Sequence, residues 1–260
     1  MTRVTVIDVA GGAVDATRLG PFVWLAVGDT LVQYTAMAGV EQRRVSMGGA
    51  IRRVGSAGGD LVVSLDGGTV RCEPQSWEAS SLDVGPDVGL LDGDQVVWLT
   101  EEGVAHRVRE HHLDPAIEFD AALATVVGDE LWWVDPDGRI ESSMRRRLGS
   151  LDGELPYAMV GCSGWLWLAH GPTLERRSFI DGSAGRPLES PVGRCRHLAC
   201  NGGVLVGASR RRVFLYDPTG AVPPSVVDPG VAGDIVALVP GPDLVWAVFD
   251  GPQAAIIRFD

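Results

Sequence analysis

The chain has 260 residues, with 34 acidic against 22 basic side chains and a formal net charge of −12, a balance that argues against non-specific binding to nucleic acid or an anionic membrane. Every base is an arginine; without lysine, Schiff-base chemistry and lysine general bases are excluded. At 45% hydrophobic the chain can bury an ample core, and nothing along residues 1–260 reads as a linker, so a single domain is expected.

The N-terminus, MTRVTVIDVAGG, lacks the apolar core of a signal peptide, and no stretch approaches the roughly 20 apolar residues of a membrane span. A soluble, cytoplasmic monomer is therefore the expectation. Arg3 to Ala10 is a strand that belongs to no complete unit. After it come FVWLAV, DLVVSL, QVVWLT, ELWWVD, WLWLAH, GVLVGA and DLVWAV, short β-branched or aromatic runs bounded by Gly, Asp and Pro, which reads as strand rather than helix. Aligned on Trp133, the equivalent positions are Trp24, Val63, Trp98, Leu168, Val206 and Trp246, with steps of 39, 35, 35, 35, 38 and 40 residues. A period of that length with several strands per unit predicts an all-β fold, a single seven-bladed β-propeller. The last unit holds only three strands, IVALVP, DLVWAVFD and AAIIRFD. The N-terminal strand is predicted to supply the fourth and so close the ring without an open edge. The Trp set, with Trp133 among it, reads as packing between blades.

Cys72, Cys162, Cys195 and Cys200 fall at unrelated positions in their units, which predicts reduced core thiols, with Cys195 and Cys200 on opposite faces of one strand. No Cys/His spacing suggests a closed metal site. Exceptional polar residues occur where a second strand ends and an innermost strand begins, at one mouth of the central channel. There the repeat alignment puts His170, Arg53 and Arg196, with His197 next to Arg196 in RCRHLAC. His170 or His197 is the candidate acid/base, and Arg196 with Arg53 the candidate anion clamp. Trp167, like Trp165, flanks the path to His170 and is placed to stack on a ligand. Asp66, Glu101, Glu102, Asp135, Asp137 and Asp250 sit at hairpin tips, where they form turns first and could lend oxygen to a loosely held magnesium. The pair His111-His112 reads as a solvated loop, and the triplets Arg145–Arg147 and Arg210–Arg212 read as solvated connections able to meet an acidic partner.

QVVWLTEEG and ELWWVDPDGRI resemble the blades of streptogramin lyases and related NHL-type propellers. That resemblance implies seven blades and a magnesium-assisted elimination by His and Glu. The only His-Gly pair is His170-Gly171, and that family's catalytic segment has no match. The function expected is binding of a small polar or anionic molecule at one channel mouth, as a binding protein or as an enzyme of elimination, cyclisation or hydrolysis. Apart from the magnesium that the resemblance implies, no cofactor is expected. The alternative is a non-catalytic scaffold for a protein partner.

Overall fold

A computed structural model describes residues 2–9, 11–84, 88–92, 96–109, 112–218 and 224–259. Among these residues there is no helix; the strands form seven antiparallel sheets arranged as a seven-bladed propeller. The innermost strands are Asp15–Leu19, Ile51–Ala57, Gly89–Asp92, Leu123–Val127, Ala158–Cys162, His197–Asn201 and Ile235–Gly241, and they define blades 1 to 7 in that order. Each packs on its neighbours around a closed ring. In blade 3 the outermost strand is split into His112–Leu113 and Ile117–Phe119, both paired with Gly103–Arg109. His111 lies outside the described residues.

The N-terminal strand, Thr2–Asp8, pairs with Gln253–Phe259 from Thr2 opposite Phe259 to Asp8 opposite Gln253. It is the outer strand of blade 7, as the incomplete last unit predicts. Charged outer strands such as Glu41–Ser46, EQRRVS, keep the remaining edges from pairing with another chain.

The second strand of each blade begins directly after the tight turn that ends the innermost one. Its third residue is Trp24, Val62, Trp98, Trp132, Trp167, Val206 or Trp246, and this residue faces the following blade in every case. Trp24 meets Leu61 and Val63, and Val62 meets Val97 and Leu99. Trp98 meets Leu131, Trp132 meets Leu166 and Trp167 meets Leu205. Val206 meets Val245, and Trp246 meets Val23 and Leu25. The seven apolar clusters are the seven seams of the ring. Burying an indole ring of ~200 Å² contributes on the order of 5 kcal/mol to each of the five seams held by Trp, before the entropy of ordering is subtracted. Trp246 also donates its Nε1–H to the Ala36 carbonyl at 2.8 Å, tying the last blade to the first.

This register corrects the alignment on Trp133. Val63, Trp133 and Leu168 are fourth residues of their strands and face the preceding blade. Successive side chains of a strand point to opposite faces, so Trp132 and Trp167, and not Trp133, are the equivalents of Trp24, Trp98 and Trp246. Where the innermost strands crowd together, glycine makes room. A Cβ on Gly161 would lie 2.5 Å from the methyls of Val127, and one on Gly55 would lie 2.4 Å from Leu90.

The expectation of four reduced thiols is overturned in part. Cys162 and Cys200 form a disulfide with a Cα–Cα distance of 5.4 Å, joining the innermost strands of blades 5 and 6. Cys72 and Cys195 are free and buried, and burial pushes the Cys195 thiol up to about 12. Cys195 precedes its strand, so the alternation does not reach it, and it packs in the same seam as Cys200.

The free edge of an innermost strand presents backbone N–H groups with no strand to receive them. In blade 2 two carboxylates do so. Asp15 accepts from Val54 N at 3.0 Å, and Asp92 accepts from Ser56 N at 2.9 Å. Asp92 also accepts from the Thr17 hydroxyl, so one carboxyl links blades 1, 2 and 3. It reaches channel water, yet protein surrounds it, and this burial raises it to about 7 against the lowering effect of the Thr17 and Ser56 hydrogen bonds; the nearby Asp15 adds to the rise.

Candidate functional site

The turn at the end of blade 6's second strand is built by Ser209, whose N–H donates to the Arg212 carbonyl at 2.9 Å and whose hydroxyl receives the Arg212 N–H at 3.3 Å. The turn lifts Arg210, Arg211 and Arg212 out of the sheet into water. Opposite, Cys195 N donates to Gly171 O at 3.1 Å and Arg196 N to Ala208 O at 2.7 Å, which anchors the segment entering blade 6 and places Arg194 and Arg196 beside the turn. From the blade 7 side, Ile235 N donates to the Arg210 carbonyl at 2.6 Å. Between these segments lies a hollow of ~440 Å³ lined by Val192, Arg194, Arg196, Ser209, the three turn arginines and Asp234.

The charges of this hollow are unbalanced. Arg210 pairs with Asp234 at 3.4 Å, and Arg194 stacks over Tyr157 at 4.0 Å from the ring centroid. Among the described residues no carboxylate pairs with Arg196, Arg211 or Arg212. Five guanidinium groups therefore meet one carboxylate in a protein of net charge −12. Guanidinium forks match carboxylate and phosphate oxygens in bidentate geometry, so the hollow is suited to an anion.

The other expected site residues do not converge on it. His170 shares the face of Leu166 and Leu168, toward blade 4. Its Nδ1 lies 2.9 Å from the Glu154 carbonyl, and its Nε2 lies 3.7 Å from the Glu175 carboxylate, which is itself held by Arg177 at 2.7 Å. His197 shares the opposite face, with Ala199 and Asn201, toward blade 7. Burial lowers its pKa, against the Ile235 backbone group at its ring, and the adjacent Arg196 adds to the lowering. The two imidazoles thus stand at the same end of the propeller, as expected, but in different seams. Arg53 is in blade 2, where its charge acts on Asp15, whose carboxyl is raised chiefly by burial. Trp167 is fully buried, with Nε1 donating to Cys162 O at 3.3 Å and the ring 5.7 Å from Tyr216; it offers a ligand no surface. Arg196 alone of the expected residues lines the hollow. The turn arginines and Asp234 were missed as site residues, although the run SRRRV after a strand was visible in the sequence.

Four of the hairpin-tip carboxylates, Asp66, Asp135, Asp137 and Asp250, do not come together as a magnesium site. Asp66 is paired with Arg52 at 2.7 Å, Asp135 and Asp137 share Arg139 at 3.6 and 3.3 Å, and Asp250 accepts from Asp234 N at 2.9 Å. They are spread over blades 2, 4 and 7, and among the described residues no three His, Cys, Asp or Glu side chains gather as a cage.

No protein-family model and no curated protein matches the sequence. Among solved structures, virginiamycin B lyase from Staphylococcus aureus is similar at a TM-score of 0.75 and 10% identity over 100% of both chains. A catalytically inactive variant of that lyase with quinupristin superposes at 0.74. A chain of a mitotic checkpoint complex reaches 0.79 at 12% identity, covering 98% of this chain and 91% of the other. At these identities what this protein has in common with the lyase and with the checkpoint-complex chain is the fold, and this chain's is the seven-bladed β-propeller.

Proposed function

We propose that this protein binds a small anionic molecule, a di- or tricarboxylate or a phosphate ester, in the arginine hollow of blade 6. The observation that carries this reading is the set of unneutralised guanidinium groups, Arg196, Arg211 and Arg212, around one concave surface of an acidic chain. Like charges held together by the Ser209 turn repel one another, and a bound anion relieves that repulsion while accepting charge-assisted hydrogen bonds. The guanidinium groups supply the positive charge that a metal would otherwise provide. Because they are exposed, the interaction is screened by salt.

Calorimetric titration with citrate and with inorganic phosphate at low ionic strength tests the reading. Arg196→Gln and Arg211→Gln should each weaken binding by about tenfold, the loss of one charge-assisted interaction of roughly 1.4 kcal/mol. Absence of citrate and phosphate binding at about 10 mM would refute it. The second reading, an interaction scaffold without chemistry, is favoured by the separation of His170 and His197 into different seams. A short oligoglutamate peptide that binds where citrate and phosphate do not would establish that reading instead.

A further inference from the structure

A hollow larger than the arginine one lies at the opposite end of the channel, where the innermost strands turn into the second ones. It measures ~710 Å³ and takes its walls from the innermost strands of all seven blades. Its lining is two-sided. Blades 1 to 3 contribute Thr17, Arg18, Ser56 and Asp92, whereas blades 4 to 6 contribute apolar wall such as Val127, Val160 and Leu198.

Its two charged side chains have opposite signs and do not pair with each other. Asp92 is held in place by Ser56 N at 2.9 Å and by the Thr17 hydroxyl, neutral donors that fix its direction without neutralising it. Arg18 donates from Nε to Gly20 O at 3.0 Å and leans toward blade 7, where a Cβ on Gly241 would lie 3.1 Å from its Nη1. Among the described residues no carboxylate pairs with Arg18 and no guanidinium with Asp92. A carboxylate has room for about four hydrogen bonds and a guanidinium offers five donors, so both retain capacity toward the cavity. The volume lies within the usual range of small-molecule sites, roughly 300–1,000 Å³.

We propose that this hollow is a second binding site, distinct from the arginine hollow, for a zwitterionic amino-carboxylate with an apolar side group. The ammonium goes to Asp92, the carboxylate to Arg18 and the apolar group against the Val127, Val160 and Leu198 wall. Reading Asp92 only as a cap for the Ser56 N–H explains its hydrogen bonds but leaves the unpaired Arg18 and the apolar wall opposite without a role.

The test is calorimetry on the full chain at pH 8 with three probes: L-phenylalanine, phenethylamine, which has only the ammonium, and 3-phenylpropionate, which has only the carboxylate. L-Phenylalanine should bind at least about tenfold more tightly than either single-charge probe. Asp92→Asn, which preserves an acceptor for Ser56 N, should weaken L-phenylalanine and phenethylamine by about tenfold and spare 3-phenylpropionate. Arg18→Met should do the converse. Excess citrate, directed to the arginine hollow, should leave all three unchanged, which separates this site from that one. The proposal is overturned if L-phenylalanine does not saturate below about 10 mM, if 3-phenylpropionate binds as tightly as L-phenylalanine, or if the Asp92 and Arg18 variants affect the three probes alike.

Discussion

Replacing Asp92 by asparagine removes a charge from the wall of the channel while keeping its shape. The asparagine oxygen can still accept from Ser56 N, 2.9 Å away in the parent, and its amide can donate to the Thr17 hydroxyl oxygen. In the folded protein the Asp92 carboxyl is raised to about 7, burial being the main cause, whereas an unfolded chain holds it near ~3.9. The folded state therefore favours the protonated acid. The stability this provides is fully present below pH ~4, declines as pH rises, and is lost once pH passes the folded value of about 7. A shift of this size corresponds to ~4 kcal/mol in a dry site. Asp92 touches channel water, and screening reduces the expected effect to ~1–2 kcal/mol. Urea unfolding followed by tryptophan fluorescence at intervals from pH 4.5 to 8.5 measures it, with the difference between variant and parent cancelling the other titrations. Asp92→Asn should be more stable than the parent by that amount at pH 8, and the difference should shrink steadily as pH falls toward 4.5. A difference independent of pH, or a variant less stable at pH 8, would show that the ionised carboxylate is well solvated and that the burial argument fails.

The seam register predicts that Trp132→Ala, at 1% exposure, costs about 3–5 kcal/mol of unfolding free energy and disrupts the seam of blades 4 and 5. Trp133→Ala, on the opposite face, should instead act on the seam of blades 3 and 4 and release Phe119, 5.7 Å from its ring; hydrogen exchange resolved by blade distinguishes the two. The Cys162–Cys200 disulfide spans 38 residues, a loop whose closure entropy corresponds to ~4 kcal/mol. Reduction under native conditions should lower the denaturation midpoint accordingly, and an unchanged midpoint would indicate that the packed seam, not the bond, holds blades 5 and 6 together.

The blade count and the closure of the ring were legible in the sequence because both rest on punctuation: Gly/Asp turns recur at a fixed period, and an incomplete last unit leaves a place for Arg3 to Ala10. The register within a strand was harder. Trp132 and Trp133 are adjacent, and matching by residue type chose the one that faces backwards. Counting from the turn would have chosen the other, because Val127 pairs with Glu130 across it and the third residue from Glu130 is Trp132. The same counting bears on the disulfide. Cys162 is the last residue of one innermost strand and Cys200 the last but one of the next, so both lie near the turn end of neighbouring strands, a proximity that treating the thiols as unrelated positions hid.

For the site, the end of each strand could be read but not its face. His170 and His197 stand at the same end of the propeller, yet His170 follows the parity of Leu166 and Leu168 toward blade 4, and His197 that of Ala199 and Asn201 toward blade 7. A strand end brings residues together only when their parities point into one seam, or when they leave the sheet altogether. Arg210 to Arg212 take the second route. Released from strand alternation by the Ser209 turn, all three can gather over one surface with Arg196, in a chain whose net charge is −12. A charge triplet in a loop gains meaning from what the fold places opposite it. Here that is another arginine-bearing segment, with Asp234 as the hollow's one carboxylate, and the resulting imbalance is of the kind that an anion would neutralise.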